Sequence, residues 1–390
     1  MRARAAVATG VGVAAAAVAA GLGTMAFVYA RQLVRRARHP DRPSRIVAFR
    51  PDVHGGPSVT IARYPEAVRP GRFGLWFDDD RGYLRLGGVL AEDRARVTRR
   101  VDLVELGLPV AGMPCRVTGS YWRDPAAAGL PSEDVLVPTE LGPMPAWFVP
   151  RRGSAPWEQV AILVHGWRSN RLEPLRSVPA VRAAGWSSLV VSYRNDAGAP
   201  DGPDGKYHLG ATEWRDVEAA IRLAIERGAR RIVLGGWSMG GGTVLQTLLR
   251  SELAGRVERV LLDAPALDWH EILAAYVRLE RFPRPIGPIA ERILRSGAGA
   301  RLIGLDEPIP LRELDALGFA TRLAHPILLL QGDDDPTTPV DAARRFAAAR
   351  PDLVRYEEFP GAGHVRAWNA DPERYDALVT AWLGQDPPGP

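Results

Sequence analysis

The sequence predicts an α/β fold in which a mostly parallel sheet is covered by helices on both faces. Three observations lead to this fold class. After residue 155 the chain alternates regularly between strand-like and helix-like segments. The strand-like segments, such as 159–165 and 187–193, are near-continuous apolar runs, as expected of parallel strands buried on both faces. Alternation of this kind implies right-handed crossovers and a doubly wound sheet.

The composition is that of a globular protein with a sizeable core. Of the 390 residues, 46% are hydrophobic and 24% are charged. The net charge of +5 comes almost wholly from arginines, which are dispersed and matched by 45 acidic residues, so we expect no nucleic-acid partner. Cys115 is the only cysteine, which excludes an intrachain disulfide. No Cys/His cluster has metal-ligand spacing, and we expect neither a metal nor a cofactor.

The N-terminal segment, 1–40, is predicted to be a hydrophobic anchor followed by a basic juxtamembrane stretch. Residues 5–30 carry no charge, and as a helix they would be about 39 Å long, enough to cross a bilayer. We favour a retained single-pass anchor because the uncharged run is long and a cluster of arginines follows it. A signal peptide cleaved near Ala30, and hence a secreted protein, is the alternative. The side of the membrane stays open.

The elements after the anchor follow from local patterns. Residues 41–150 contain short strand-like segments separated by Pro, Gly and Asp clusters, which predicts a β-rich N-terminal region. This region carries no catalytic pattern, and we interpret it as a structural extension. The α/β domain follows over 151–385, and the tail, 386–390, is predicted to be disordered.

Within the α/β domain each element has a recognisable pattern. The segment 212–228 begins at a threonine cap and repeats apolar residues at helical spacing. A long insertion, about 265–320, separates two of the strands and has apolar residues partly at helical spacing. The predicted strands are 159–165, 187–193, 231–236, 257–263, 326–332 and 354–359, and further helices are predicted from about 240, over 339–349 and over 371–383.

One serine has the surroundings of a nucleophile. Ser238 lies in Gly236-Trp237-Ser238-Met239-Gly240, directly after a predicted strand and at the start of a predicted helix. A sharp turn there brings the backbone so close that the residues two before and two after the serine must be small. Gly236 and Gly240 meet this requirement. The motif therefore predicts a hydroxyl lifted above the carboxyl edge of the sheet.

A nucleophilic serine needs a base and an orienting acid. His364 follows the last predicted strand in a glycine-rich loop, and Asp335 follows the strand before it. The chain order Ser, Asp, His is the order that this architecture requires. We therefore expect His364 as the base and Asp335 as the acid, with Asp333, Asp334 and Asp263 as alternatives for the acid.

The tetrahedral oxyanion formed by such a serine needs two backbone donors. We expect the N–H of Met239, directly after the nucleophile, and the N–H of Trp167, in the loop after the first apolar strand. His165 in the same loop is interpreted as a residue that hydrogen-bonds locally and holds the turn. A second general base is the alternative role for His165.

Residues from about 157 to 385 resemble the α/β-hydrolase superfamily. The family's Gly-x-x-Asp-x-x-x-Pro pattern selects Asp335 over its two aspartate neighbours. The segments "SYRNDAGAP" and "LGATEWRDVEAAI" are similar to a bacterial branch of serine hydrolases with an N-terminal hydrophobic segment. The matching motifs are the elbow around Ser238, the His-Gly at 165–166, the pattern formed by Gly332, Asp335 and Pro339, and the Gly-His at 363–364.

The resemblance implies an α/β-hydrolase fold with an eight-stranded, mostly parallel sheet, whose first two strands must precede residue 157. It also implies that the insertion at about 265–320 is a cap over the active site, and that esters or related acyl bonds are hydrolysed without a cofactor. An apolar cap could hold an acyl chain, and plain packing onto the sheet is the alternative.

The sequence therefore predicts an esterase-like serine hydrolase that acts through Ser238, His364 and Asp335 and an acyl-enzyme. The predicted partners are a small-molecule or lipid-like acyl substrate and, through residues 5–30, a membrane. Thioesters and amides are further substrate classes. Alternatives are a serine peptidase or acyltransferase of the same fold, or a catalytically silent, membrane-anchored binding protein. The oligomeric state is left open.

Overall fold

The computed structural model describes residues 2–36, 42–51 and 56–385, with side chains from residue 16 onward. Within these residues the strands form two sheets, a closed barrel of six strands and an open sheet of eight. The tail predicted to be disordered, 386–390, lies outside the described residues.

The N-terminal β-rich region begins with the barrel. Its strands are β1 (Ser44–Arg50), β2 (Ser58–Ala62), β3 (Phe73–Phe77), β4 (Gly82–Glu92), β5 (Arg96–Leu106) and β6 (Pro114–Thr118). They pair antiparallel in the order β1-β2-β5-β4-β3-β6, and β6 returns to β1 to close the barrel. Closure satisfies the backbone hydrogen bonds of both flanks of each strand. Phe73, Leu75 and Phe77 are among the buried apolar residues that fill its interior.

One segment of the barrel, residues 65–72, is held in place by a buried arginine, and we call it the docking segment. It begins with a short 3₁₀ turn, Pro65–Val68, and leads into β3. The guanidinium of Arg99, on β5, donates to the carbonyl oxygens of Ala67, Arg69 and Gly71 at 3.0, 2.7 and 2.6 Å. A buried cation needs such acceptors, so Arg99 fixes the path of the docking segment.

The open sheet is the predicted eight-stranded, mostly parallel sheet, which is confirmed. Its strands are β7 (Glu133–Thr139), β8 (Gly142–Val149), β9 (Gln159–Val164), β10 (Ser187–Val191), β11 (Arg231–Trp237), β12 (Val257–Asp263), β13 (Ile327–Gly332) and β14 (Val354–Phe359). The order across the sheet is β14-β13-β12-β11-β9-β10-β8-β7. Strands β9 to β14 are parallel, and β7 and β8 form an antiparallel hairpin at one edge. The two strands before residue 157 are thus this hairpin.

Helices cover both faces of the open sheet. The helices are α1 (Arg2–Leu33), α2 (Val178–Ala183), α3 (Trp214–Glu226), α4 (Met239–Arg250), α5 (Trp269–Leu279), α6 (Ile286–Arg295), α7 (Gly297–Ile303), α8 (Ala316–Phe319), α9 (Val340–Ala349), α10 (Ala367–Ala370) and α11 (Pro372–Leu383). Helices α2 and α11 pack on one face, whereas α3, α4 and α9 pack on the other. Successive residues of β9, such as Ala161 and Ile162, enter opposite cores because strand side chains alternate between faces.

The insertion between β12 and β13 forms helices α5 to α8. Their buried residues, among them Trp269, Ile272 and Ile286, belong to the same core as α3 and α4. Asp268 caps α5 by accepting from the amides of His270 and Glu271, so the first helix of the insertion begins at Trp269.

Helix α1 corrects one prediction. Among the described residues, no helix is long and apolar enough to cross a membrane, and the predicted single-pass anchor over 5–30 is therefore wrong. The physical reason lies in the second half of α1, whose apolar side chains are used for packing within the protein. Ala26, Tyr29 and Ala30 are buried in the core that also contains α6, and the Tyr29 hydroxyl donates to the carbonyl oxygen of Leu273 at 3.3 Å.

Candidate active site

Ser238 occupies a strained turn between β11 and α4. Its backbone has φ 53° and ψ −120°, a conformation that non-glycine residues adopt only when the surrounding structure imposes it. A Cβ on Gly240 would lie 2.2 Å from the carbonyl oxygen of Val164, and one on Gly236 would lie 2.6 Å from the carbonyl oxygen of Gly240. Both neighbours of the turn must therefore be glycine, as the sequence predicts.

The structure brings Ser238, His364 and Asp335 together. His364 lies in the loop between β14 and α10, and its Nε2 is 2.9 Å from Ser238 Oγ. Its Nδ1 is 2.8 Å from Oδ2 of Asp335, which follows β13. Three side chains that are far apart in the sequence are thus connected by hydrogen bonds at the carboxyl edge of the sheet.

Asp335 is held rigidly. Its Oδ1 accepts from the amides of Thr337 and Thr338 at 2.8 and 3.0 Å, and its Oδ2 accepts from the Thr338 hydroxyl and from Gln331 Nε2 at 2.8 and 3.0 Å. Burial alone would raise the pKa of Asp335, but the adjacent His364 and these hydrogen bonds outweigh it and lower the pKa below its ordinary value. The Asp335 carboxylate is therefore ionised in the folded protein at neutral pH.

The other three aspartates have different surroundings. Asp333 accepts from the amide of Gly361 at 2.6 Å, and Asp334 pairs with Arg69 of the docking segment at 3.0 Å. Asp263 is buried at the end of β12, where burial raises the pKa of its carboxyl to about 6. Its backbone carbonyl accepts from the amide of Ser238 at 3.0 Å. The contact with the imidazole is made by Asp335.

The two amides expected at the oxyanion position lie at this same edge. Met239 is the first residue of α4, where backbone N–H groups have no partner within the helix. Trp167 lies in the loop after β9 and lines the cavity that holds Ser238 and His364. Within the described parts of the chain, neither amide donates a hydrogen bond. Both are thus available to an oxygen atom at the serine.

His165 is buried, and both of its ring nitrogens contact groups other than Ser238. Its Nε2 is 2.7 Å from Oδ2 of Asp196, and its Nδ1 is 2.9 Å from the carbonyl oxygen of Gly166. Burial would lower the pKa of His165, but the Asp196 carboxylate outweighs it and raises that pKa. Tyr193 stacks on the ring and also donates to the Gly166 carbonyl at 2.8 Å. The geometry fits a residue that holds the turn.

Glu173 is a carboxylate of the site that sequence reasoning missed. It lines the catalytic cavity, and its Oε2 accepts from the amide of Gly166 at 2.6 Å. A Cβ on Gly166 would lie 2.9 Å from Ser238 Cβ and 3.0 Å from that oxygen, so the carboxylate is close to Ser238. No motif marks Glu173, and its only signal in the sequence is its place in the long loop after β9.

The loop that carries His364 is fastened from two sides. The fully buried Arg176 donates to the carbonyl oxygen of Val365 at 3.0 Å and hydrogen-bonds Asn369. Arg366 pairs with Glu66 of the docking segment at 2.5 Å. The barrel therefore contacts the active-site loops directly.

The catalytic cavity is small and largely apolar. Its volume is about 90 Å³. Apolar side chains form most of the wall, whereas the polar contributions come from Ser238, His364, Glu173 and two threonines. Among the described residues, no group of His, Cys, Asp and Glu side chains is arranged to hold a metal ion. The apolar wall consists of Leu33, Leu209, Ala266, Trp269, Ile272 and Tyr276 together with the ring of Trp167.

Comparison with known proteins finds two matching family models. One, described as the alpha/beta hydrolase family, matches residues 161–378, which is more than half of the chain. The other, described as a domain of unknown function (DUF8805), matches residues 45–118, and these residues span the barrel strands.

The chain is also similar to solved structures of hydrolases. An esterase of Pyrococcus furiosus shares 18% sequence identity with a TM-score of 0.51, over 67% of this chain and 93% of that one. A thermophilic esterase from Thermogutta terrifontis shares 21% identity with a TM-score of 0.45, over 65% and 98%. A puromycin-hydrolyzing peptidase of Mycobacterium tuberculosis shares 18% identity with a TM-score of 0.49, over 88% and 55%. At these identities the likeness to the first structure shows the fold.

Proposed function

Because this chain belongs to the alpha/beta hydrolase family, we propose that it is a serine hydrolase that cleaves carboxylic esters. The observation that carries the proposal is the continuous relay of hydrogen bonds from the serine to the acid. Ser238 Oγ is 2.9 Å from His364 Nε2, and His364 Nδ1 is 2.8 Å from Asp335. These distances suit proton transfer and stabilisation of the imidazolium that results.

In the proposed reaction, Ser238 Oγ attacks the carbonyl carbon of the ester while His364 Nε2 takes the hydroxyl proton. The amides of Met239 and Trp167 stabilise the oxyanion. The intermediate then expels the alkoxide, which receives the proton from His364, and an acyl-enzyme remains. Water attacks the acyl-enzyme by the same proton relay, releases the carboxylic acid and restores the serine. Asp335 stays ionised and keeps the imidazole oriented.

The cavity supports a short acyl group. Its volume of about 90 Å³ is smaller than the roughly 150 Å³ of a protein cavity that accommodates benzene. Its apolar wall favours an alkyl chain, whereas the Glu173 carboxylate repels acyl groups that carry a negative charge. We therefore assign esters of short, uncharged carboxylic acids as the substrate class, with the corresponding thioesters as close analogues.

The proposal is tested with an activity-based probe and a series of esters. A fluorophosphonate probe should label the wild-type protein and should not label Ser238→Ala, because the probe reacts with an activated serine. Hydrolysis of p-nitrophenyl esters, measured from acetyl to dodecanoyl, should be fastest for the short acyl chains. Ser238→Ala should reduce kcat by at least about 10⁴-fold.

Two outcomes would contradict the proposal. Absence of labelling in folded wild-type protein would favour a binding protein without catalysis. If the probe labels Ser238 but no ester or thioester is hydrolysed, the serine peptidase alternative is favoured. Circular dichroism of both proteins serves as the folding control.

A further inference from the structure

A second cavity, of about 1,220 Å³, adjoins the catalytic cavity. The two cavities share Leu33, Trp167 and Tyr276, so these side chains form the boundary between them. Gln32 and the loop residues 197–198 also line the larger cavity, and since they are exposed, it opens to solvent. We call this second cavity the vestibule.

The vestibule is basic. Two of its arginines are neutralised by carboxylates outside the cavity, since Arg36 pairs with Asp201 and Arg123 pairs with Asp124. One lining carboxylate, that of Asp196, is committed to His165. The charged residues in its lining are five arginines, Arg35, Arg36, Arg123, Arg168 and Arg171, and two carboxylates, Asp196 and Glu280.

Arg35 and Arg171 contribute positive charge that the protein balances weakly. The carboxylate nearest to Arg171 is that of Asp134, at 3.9 Å, and because the Asp134 side chain is 90% exposed, this pair is weak. The guanidinium of Arg35 has no ion-pair partner within the described residues. The cavity therefore has a positive potential towards whatever enters it.

Two buried hydrogen-bond donors of the vestibule also lack an acceptor. Trp167 Nε1 and Arg171 Nη1 are buried, and neither has a hydrogen-bond partner among the described residues. Donors left in this state cost free energy, which an acceptor on a bound ligand can recover. Both residues line the vestibule, and Trp167 stands at its junction with the catalytic cavity. Trp167 thus places one of the two donors at the boundary between the cavities.

The order of events in the proposed reaction assigns the two cavities to the two halves of the substrate. The acyl group stays bonded to Ser238 while the leaving group must depart before water can react. The leaving group therefore belongs in the cavity that opens to solvent, and the acyl group in the small apolar one.

We infer that the vestibule binds the leaving group and that this group is an alcohol or thiol bearing an anionic substituent, a carboxylate or a phosphate. The inference rests on the proposed function. Arg35 and Arg171, whose side chains line the vestibule, attract the anion. The substituent does not take part in bond cleavage, so the reaction written above is unchanged.

Four butyrate esters of para-substituted phenols test the inference. Two substituents are anionic, carboxylate and phosphonomethyl; one is the neutral carboxamide, and one is the cationic trimethylammonium. For each ester, kcat/KM is divided by the rate of hydroxide-catalysed hydrolysis of the same ester. Anionic leaving groups should give values about tenfold above the carboxamide, and the cationic one should fall below it. The anion-to-amide ratio should decline as salt is added, because salt screens charges at an open cavity. Preference for one anionic ester over the other identifies which anion the vestibule takes.

Two variants and a matched control complete the test. Arg35→Gln and Arg171→Gln should each lower the anion-to-amide ratio about threefold. Arg222→Gln, which removes an exposed arginine of α3 paired with Glu218, should leave the ratio unchanged. A wild-type ratio near one at low salt, or a ratio retained in both variants, would overturn the inference. Silence towards all four esters would instead contradict the proposed function.

Discussion

At the residue scale, the protonation of His364 decides when the relay can act. Burial alone would lower the pKa of the imidazole, but the Asp335 carboxylate at 2.8 Å outweighs it and raises the pKa above its ordinary value of 6.5. Only the neutral ring can accept the proton of Ser238. In the proposed reaction, the carboxylate that stabilises the charged imidazolium therefore also moves the onset of activity to higher pH.

We expect kcat/KM to rise with pH through a midpoint above about 6.5, where His364 loses its proton. Asp335→Asn should move this midpoint to lower pH, because burial then acts on the imidazole without the opposing carboxylate. It should also reduce kcat by about 10⁴-fold, since the ring loses its orienting partner. Rate profiles of both proteins between about pH 5 and 9 check these expectations. If the midpoint of the pH profile were the same in the variant as in the wild type, Asp335 would not be the partner that sets the pKa of His364.

At the scale of elements, helix α1 forms part of the wall of the catalytic cavity, which its alanine-rich composition does not indicate. Its last residue, Leu33, is 3% exposed and lines the catalytic cavity. The ring of Tyr29 packs edge-on against Phe282, with centroids 5.9 Å apart, and so joins α1 to the chain between α5 and α6. An N-terminal helix thus forms part of the wall against which an acyl group would rest.

Leu33→Ala should change substrate preference as well as stability. Removing the side chain enlarges the small cavity, so the ratio of hexanoyl to acetyl ester hydrolysis should rise about tenfold. The substitution should also lower the free energy of unfolding by about 2–4 kcal/mol. Leu294→Ala is the matched control, because Leu294 is fully buried on α6 and does not line the cavity. If both variants gave the same chain-length profile, α1 would have no part in acyl selection.

At the scale of the whole molecule, the barrel and the open sheet meet at the active-site loops. Glu66 of the docking segment pairs with Arg366, two residues after His364, at 2.5 Å. Arg69 pairs with Asp334, next to Asp335, at 3.0 Å. The barrel therefore contacts both the loop that carries His364 and the loop that carries Asp335.

Glu66→Gln tests this contact. Arg366 would lose its ionised partner while staying mostly buried, so unfolding free energy should fall by about 1–3 kcal/mol, and kcat should fall more than KM changes. The control, Glu373→Gln, breaks the exposed pair with Arg72 between the same two parts and should cost under about 0.5 kcal/mol. Urea unfolding and steady-state kinetics provide the measurements. Equal effects of the two substitutions would show that the barrel contact does not position the His364 loop.

The parts of the structure that were predictable from the sequence are those set by local pattern. Apolar runs identified the parallel strands, and glycine spacing identified the turn at Ser238. The N-terminal helix was misassigned because an uncharged alanine-rich segment can pack against protein as well as against lipid, and the difference lies in partners such as α6. Glu173 and Arg171 were missed for a similar reason, since their places at the cavities depend on loop paths rather than on motifs.

The contacts of the docking segment also have a consequence for biosynthesis. Glu66 and Arg366 are 300 positions apart, and Arg72 and Glu373 are 301 apart. At about 5–20 residues per second, a ribosome needs roughly 15–60 s to travel that distance. During this interval the barrel strands are completed, but Arg366 and Glu373 are not yet synthesised, and Ser238 precedes His364 by 126 positions. The barrel therefore gains these two ion pairs only after the segment that carries His364 has been synthesised.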